Sequence, residues 1–340
     1  MSEMDGSGRV VVITGASAGV GRAAARAFAK RGARVGLLAR GRAGLEGARS
    51  DVESLGGRAI CLPTDVADAD AVERAAVAVE DMFGPIDVWV NNAMASVFSP
   101  VKKMEADEYR RVTEVTYLGV VHGTLSALRR MLPRDRGTIV QVGSALAYRG
   151  IPLQSAYCAA KHAIHGFCES LQAELIHDHS NVRLTMVQMP ALNTPQFHWV
   201  KSRLPRKAQP VPPIFQPEVA ADAILWASEH DRREVAVGFP TVEAIVGNKI
   251  VPGLLDHYLA HTCYDAQMTD EPVDPDQPDN LYHPVDDDHD FTAHGAFDGR
   301  SRTSSWQFWA DKNRNFLALA GGGLAALACV RMLTRKEGRG

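Results

Sequence analysis

The sequence predicts an α/β fold, a doubly wound parallel sheet forming one domain with a C-terminal extension. Three observations predict it. Six short apolar runs recur between residues 9 and 190: RVVVIT, ARVGLLA, RAICLPTD, IDVWVNN, GTIVQVGS and VRLTMVQMP. Unbroken, β-branched-rich runs suit strands buried on both faces, as in a parallel sheet. Helical patterns such as GRAAARAFAKRGA, DADAVERAAVAVEDMFG and ESLQAELIHDHS lie between them, and such alternation reads as doubly wound. A glycine cluster, TGASAGVG, joins the first strand to the first helix.

The bulk composition agrees with a globular chain. Of 340 residues, 46% are hydrophobic and 23% charged, and the net charge is −3. That charge offers no basic face, so nucleic acid is not an expected partner. Five cysteines (Cys61, Cys158, Cys168, Cys263, Cys329) are scattered without a C-x-x-C pair. This speaks against a disulfide framework or structural zinc and fits a reducing, cytoplasmic setting. The N-terminus MSEMDGSGRVVVITG runs into a strand with no charged-then-apolar leader, so no signal peptide is read.

Residues 8–240 form the expected domain, with EVAVGFP (234–240) as a last strand. Residues 241–262 follow as a helical extension packed on it. Val242, Ile245, Val246, Ile250, Leu254, Leu255 and Tyr258 recur at helical spacing, and Pro252 starts or kinks a turn. Residues 263–310 are acidic and proline-rich, with no lysine or arginine between Lys249 and Arg300. The expectation is a loosely ordered segment that wraps the domain. Its histidines, His283, His289 and His294, match no ligand spacing, so no metal site is expected. Residues 311–340 hold an apolar helix. Its uncharged run, Phe316 to Val330, would be about 22 Å long, against the roughly 20 apolar residues a span needs. Extended to Leu333 with Arg331 snorkelling, residues 316–333 read as a membrane contact; the other reading is a helix docked on a partner subunit.

The glycine loop carries the first chemistry. Gly15, Gly19 and Gly21 sit in T-G-x-x-x-G-x-G between a strand and a helix, with Ser17, Ala18 and Val20 between them. Glycines let the backbone turn tightly and approach a pyrophosphate, and the helix N-terminus offers unpaired N–H groups. This is a Rossmann-type dinucleotide site in its strand–turn–helix context. At the end of the second strand an acid would bond a ribose 2′-hydroxyl, whereas an arginine accommodates a 2′-phosphate. Here Ala39 is followed by Arg40, with Arg22 and Arg42 nearby. The guanidinium fork suits phosphate, so NADP is expected rather than NAD.

With TGASAGVG (14–21), DV (65–66), NNA (91–93), GS (143–144) and YCAAK (157–161) in this order, the chain resembles the short-chain dehydrogenase/reductase family over about residues 8–240. Ser144 stands thirteen residues before Tyr157. The resemblance implies that Tyr157 is the general acid/base, that Ser144 bonds the substrate oxygen, and that Lys161 serves Tyr157 and the nicotinamide ribose. Positions i and i+4 share a helix face, so Lys161 lies beside Tyr157. Its ammonium, with an oxidised nicotinamide, would lower a phenol pKa that starts near 10. The resemblance further implies that Asp65 and Val66 contact adenine and that Asn92 and Ala93 line the cofactor groove. Asn91 and Asn92 read equally as side chains that stitch strands together.

Three departures stand out. Thr116 replaces the asparagine many members use to hold a water in the proton path. NNA is followed by Met94 rather than glycine. The stretch after the sixth strand reads MPALNTP, with Ala191 in place of the family's glycine and Thr194 one residue closer to Pro190 than usual; Pro190, Leu192 and Thr194 are the expected cofactor contacts. The segment TPQFHWVKSRLPRKAQPVPPIFQPE lies where the family keeps its substrate lid. Its Phe197, Trp199, Val200, Leu204 and Phe215, with Tyr148, Ile151 and Leu153, predict a lipophilic substrate.

The reading is an NADP(H)-dependent oxidoreductase interconverting a carbonyl and an alcohol, working as a homo-oligomer. The alternatives are a 3-oxoacyl-thioester reductase and a non-catalytic cofactor-binding interaction protein.

Overall fold

A computed structural model of the chain describes residues 8–274 and 276–317. Seven strands form the central sheet: β1 (Val10–Thr14), β2 (Arg34–Ala39), β3 (Arg58–Pro63), β4 (Val88–Asn91), β5 (Gly137–Val142), β6 (Val182–Gln188) and β7 (Glu234–Ala236). Their order is β7-β6-β5-β4-β1-β2-β3, with every neighbouring pair parallel. The six expected strands are all present, and 234–240 supplies the edge strand as three residues. The order reverses at β1, between β2 on one side and β4 on the other. In open α/β sheets that is where a crevice forms at the carboxyl ends of the strands.

Burial explains why these runs became strands. All five residues of β1 and all four of β4 are buried, because helices cover both faces. One face carries α1 (Gly19–Ala29) and α2 (Arg42–Ser54), joined later by α8 (Pro217–Glu229). The other carries α3 (Ala69–Phe83), α5 (Gly119–Met131) and α6 (Ser155–His177). Ala23, Ala24 and Ala25 bring α1 close to the sheet. Asp68 caps α3 by accepting the N–H of Asp70 at 2.9 Å and of Ala71 at 3.0 Å, two donors the helix cannot satisfy itself. Ahead of α5, α4 (Ala106–Val112) runs into a π-helical turn, Thr113–Leu118. The lid region opens with a single helical turn, α7 (Gln196–Trp199).

The extension differs in part from the sequence expectation. It is two helices, α9 (Phe239–Ile250) and α10 (Pro252–Ala266), with Pro252 at the first position of the second. They meet each other, Leu255 against Gly247, and they meet the domain through Asn248, which donates to Tyr148 O at 2.7 Å, and through buried Cys263. Val246, Ile250, Leu254 and Tyr258 stay on the surface rather than packing inward, with Ile250 71% exposed.

The acidic segment, expected to be loosely ordered and to wrap the domain, does lie along it, as a strap held by specific contacts. Leu281 is fully buried among the residues of the α3–α6 side, and Ala293 enters the α1–α8 side. Arg111 Nε donates to Leu281 O at 2.9 Å, and Gly295 N to Asn193 O at 3.2 Å. Buried Arg22 pairs with Asp51 at 2.7 Å and with Asp290 of the strap. Charged side chains at intervals hold what composition alone reads as linker.

After the strap, α11 (Trp306–Lys312) places Phe308 in the core and Lys312 on Asp222 at 2.7 Å. The apolar run beyond Leu317 lies outside the described residues. Among the described residues no helix is long and apolar enough to cross a membrane. No group of three or more His, Cys, Asp or Glu in metal-binding arrangement occurs among them either; His294 is engaged by Glu218 and Asp298.

Leu281→Ala tests whether the strap packs. It should cost about 2–5 kcal/mol in urea unfolding, as for other fully buried leucines. A loss under about 0.5 kcal/mol, typical of a surface change, would leave the strap unpacked.

Candidate active site

A cleft of about 420 Å³ runs along the carboxyl ends of the strands. The glycine loop forms its floor. A Cβ on Gly21 would overlap Gly15 O, and one on Gly15 would lie 2.9 Å from Ala93 Cα. The turn after β1 and the loop after β4 therefore touch through bare backbone. Thr14 Oγ1 accepts the N–H groups of Asn92 at 2.9 Å and Ala93 at 3.0 Å. Asn92 Nδ2 returns a bond to Thr14 O at 2.9 Å. Asn91 does not reach the cleft. It accepts from Trp89 Nε1 at 2.9 Å and donates to Thr124 at 3.1 Å, so the stitching role belongs to it.

Of the residues expected at the cofactor, Gly15, Ser17, Ala18, Gly19, Val20, Arg40, Asp65, Val66, Asn92, Ala93, Pro190, Leu192 and Thr194 all line this cleft, as do Tyr157 and Lys161. Gly21 does not, because it lies beneath the loop against Gly15. Arg22 is tied into its ion pairs, and the Arg42 side chain is exposed. Burial pushes the Asp65 carboxyl up, but Arg111, 2.5 Å away, and the Ala67 N–H hold it below the usual range. Burial draws the Arg40 guanidinium down, with Asp65 opposing. The Arg40 fork donates to Tyr282 O at 3.0 Å and to Asn280 O, both on the strap.

Three side chains converge beside this groove. Ser144 follows β5, 9% exposed, with its Oγ accepting from Leu146 N at 3.1 Å. Tyr157 sits in the first turn of α6, half-buried and facing the Ser144 hydroxyl. Lys161, one turn on, is 3% exposed; its Nζ donates to Val142 O at 2.6 Å and lies 5.5 Å from the Tyr157 ring centre. Burial pushes the Tyr157 phenol up despite the Ser144 hydrogen bond, and burial pushes Lys161 down to about 8. The expected lowering of the tyrosine is thus not produced by the protein's own groups, because desolvation outweighs the Ser144 hydrogen bond.

Thr116 is fully buried in the π-helical turn. Its hydroxyl accepts Ala95 N–H and donates to Ala95 O, each at 2.9 Å. Its single proton is committed to the backbone, so Thr116 pins the loop after β4 and has no donor left for a relay water.

Sequence reasoning missed Gln188. This fully buried side chain accepts the Ser144 N–H at 2.8 Å and donates to Glu234 at 2.7 Å, which also accepts Tyr148 OH at 2.6 Å. The glutamine that ends β6, directly after Met186 and Val187, was the available signal.

The apolar end of the cleft is lined by Met94, Phe98, Val115, Leu146, Ile151, Phe197, Trp199, Leu259 and others. Val200, Leu204 and Leu153 pack instead in a small cluster, and Phe215 joins the main core. Tyr148 turns to Glu234 and His165. Phe197 and Trp199 sit on the α7 turn at the cleft, whereas Val200 and Leu204 follow it into the small cluster, so only part of the lid faces the cleft.

Residues 9–203 match a family model described as short chain dehydrogenase. The uncharacterized oxidoreductase YxnA of Bacillus subtilis is 31% identical over 325 residues, 95% of this chain and 90% of that protein. A fatty acyl-CoA reductase of Acinetobacter baylyi is 31% identical over 222 residues, 65% of this chain and 72% of that protein. The crystal structure of a metagenomic short-chain oxidoreductase in complex with NADP matches with a TM-score of 0.57 and 29% identity. It covers 68% of this chain and 97% of that one.

The depressed pKa of Lys161 has a measurable consequence. Between about pH 8 and about pH 10.4 the unfolded chain holds a proton that folded Lys161 has lost. Stability therefore rises with pH through that window. Tyr157, raised in the folded state, contributes fully below its unfolded value of about 10 and loses that contribution only above it. Urea unfolding at about pH 7.5 and 9.5 should show wild type gaining stability relative to Lys161→Met. Equal changes in both proteins would exclude this account.

Proposed function

Because the chain belongs to the short-chain dehydrogenase/reductase family, whose members are NAD(P)-dependent oxidoreductases, we propose that it interconverts a carbonyl and an alcohol on a lipophilic substrate, with Tyr157 as general acid/base. The observation that carries this is the convergence of Ser144, Tyr157 and Lys161 beside a cleft floored by glycine backbone.

The cleft suits a dinucleotide. Close packing at Gly15 and Gly21 leaves room above the loop, and the loop opens helix α1 with its N-terminal partial charge. The residues from Gly15 to Val20 would hold the pyrophosphate, Asp65 and Val66 the adenine, and Asn92, Ala93, Pro190, Leu192 and Thr194 the remainder. Arg40 after Ala39 supports NADP(H). When bound, the nicotinamide supplies or accepts the hydride.

The chain's own residues handle the proton. Ser144 Oγ bonds the substrate oxygen and holds it against Tyr157. Tyr157 gives its phenolic proton to that oxygen in reduction and takes it back in oxidation. Burial keeps Tyr157 protonated at neutral pH, the form reduction needs. Lys161, anchored on Val142 O, stabilises the phenolate left behind. With Thr116 committed to Ala95, the Lys161 ammonium is the donor next to Tyr157 that can return a proton.

Met94, Phe98, Ile151, Phe197 and Trp199 support an apolar substrate. The relative named as a fatty acyl-CoA reductase supports a second reading, an acyl-thioester reductase. A homo-oligomer, a cytoplasmic location and membrane contact through residues 316–333 stand as parts of the same proposal.

Tyr157→Phe should lower NADPH-dependent reduction of ketones and aldehydes by about 10²–10⁴-fold, the usual weight of a general acid, while cofactor binding persists. In wild type, kcat/KM should rise about threefold to fourfold per added methylene, from about 0.8 kcal/mol of burial each, until the apolar end is filled. Cofactor binding without turnover across such a series would favour a non-catalytic interaction protein.

A further inference from the structure

We propose that Asp286, carried by the C-terminal strap, is a specificity-determining residue of the cofactor groove that disfavours a 2′-phosphorylated cofactor. The proposal rests on reading the cleft as an NAD(P) site.

The end of β2 offers Ala39 and then Arg40, with no carboxylate at either position. The strap brings one to the same place from nearly 250 residues away. A Cβ on Gly41 would overlap the Asp286 carboxylate, and one on Gly44 would lie 2.6 Å from Asp286 Oδ2. Two glycines beside Arg40 thus leave the space into which Asp286 fits. Asp286 is 9% exposed and lines the cleft. Its carboxylate acts electrostatically on the Arg40 guanidinium, which lines the same cleft. A carboxylate lining the cleft can accept a hydrogen bond from a ligand hydroxyl and repels a ligand phosphate.

The surrounding donors are already taken by the same strap. The first three N–H groups of α2 are satisfied by it: Arg42 N by Asp287 Oδ1 at 3.1 Å, Ala43 N by Asp287 O at 3.1 Å, and Gly44 N by Asp286 O at 3.1 Å. The Arg40 fork is held on Asn280 O and Tyr282 O. A helix N-terminus beside an arginine is an anion seat. Here Asp286 and Asp287 fill it with the chain's own negative charge. A 2′-phosphate entering there meets Asp286 at close range and competes with the strap for Arg40. A ribose 2′-hydroxyl can instead donate a hydrogen bond to the Asp286 carboxylate. Arg40 attracts the phosphate and Asp286 opposes it, so the selectivity of the wild-type protein is the difference between them.

The test is a fluorescence titration of the full-length protein with NADPH and with NADH, in wild type, Asp286→Asn and Asp286→Ser. Removing the charge should tighten NADPH by about tenfold, the scale of one like-charge contact near a protein surface. NADH should tighten little or weaken. An unchanged ratio of the two dissociation constants, or a ratio moved towards NADH, overturns the proposal. Loss of folding in both variants, read by thermal unfolding, also overturns it, because Asp286 would then be a structural residue. If wild type binds neither nucleotide, the reading of the cleft falls and the proposal with it. That outcome is distinct from binding without a change in selectivity.

Discussion

The contact between bare backbone after β1 and bare backbone after β4 sets the geometry of everything else. Gly15, Gly21 and Ala93 permit it, and the Thr14 hydroxyl and the Asn92 amide lock it. Any side chain at Gly15 or Gly21 would force the two loops apart. Their approach fixes the crevice at the reversal of strand order and aims the start of α1 into it. The same loop continues to Ala95, which Thr116 holds by two hydrogen bonds. Floor and wall of the cleft are thus parts of one hydrogen-bonded seam.

The chemistry beside that seam is governed by burial. Lys161 is buried and Tyr157 half-buried, and desolvation penalises the charged form of each. The phenol rises and the ammonium falls, so both move towards their neutral forms. Under the proposed mechanism, attraction between a Tyr157 phenolate and a Lys161 ammonium would work against that penalty, and it would work best in a low-dielectric site. Gln188 contributes from behind by fixing the Ser144 backbone, so the serine hydroxyl is placed by a side chain far from it in sequence.

The strap changes how the C-terminal third is understood. A run with many aspartates and prolines and no basic residues has the composition of a solvated linker. What orders it is supplied elsewhere: Arg22, Arg40 and Arg111 on the domain, the N-terminus of α2, and pockets for Leu281 and Ala293. The opposite happens in α9 and α10. Their apolar spacing suggests packing on the domain, yet the contact runs through Asn248 and Cys263, and Ile250, Leu254 and Tyr258 remain exposed.

The sequence by itself determined the sheet, the crossover helices and the positions of Ser144, Tyr157 and Lys161. These depend on local signals: β-branched runs, helical periodicity, a glycine loop and a four-residue spacing. It also determined nearly all of the groove, because the groove is made from the ends of consecutive strands. Only the tertiary structure decided which lid residues face the cleft, where Arg40 finds its partners, and that Thr116 spends its hydroxyl on Ala95. It alone brought Asp286 to Gly41 and Gln188 to Ser144. Those outcomes are contacts between distant segments, set by shape and charge across the fold, and no pattern within a short window of sequence encodes them.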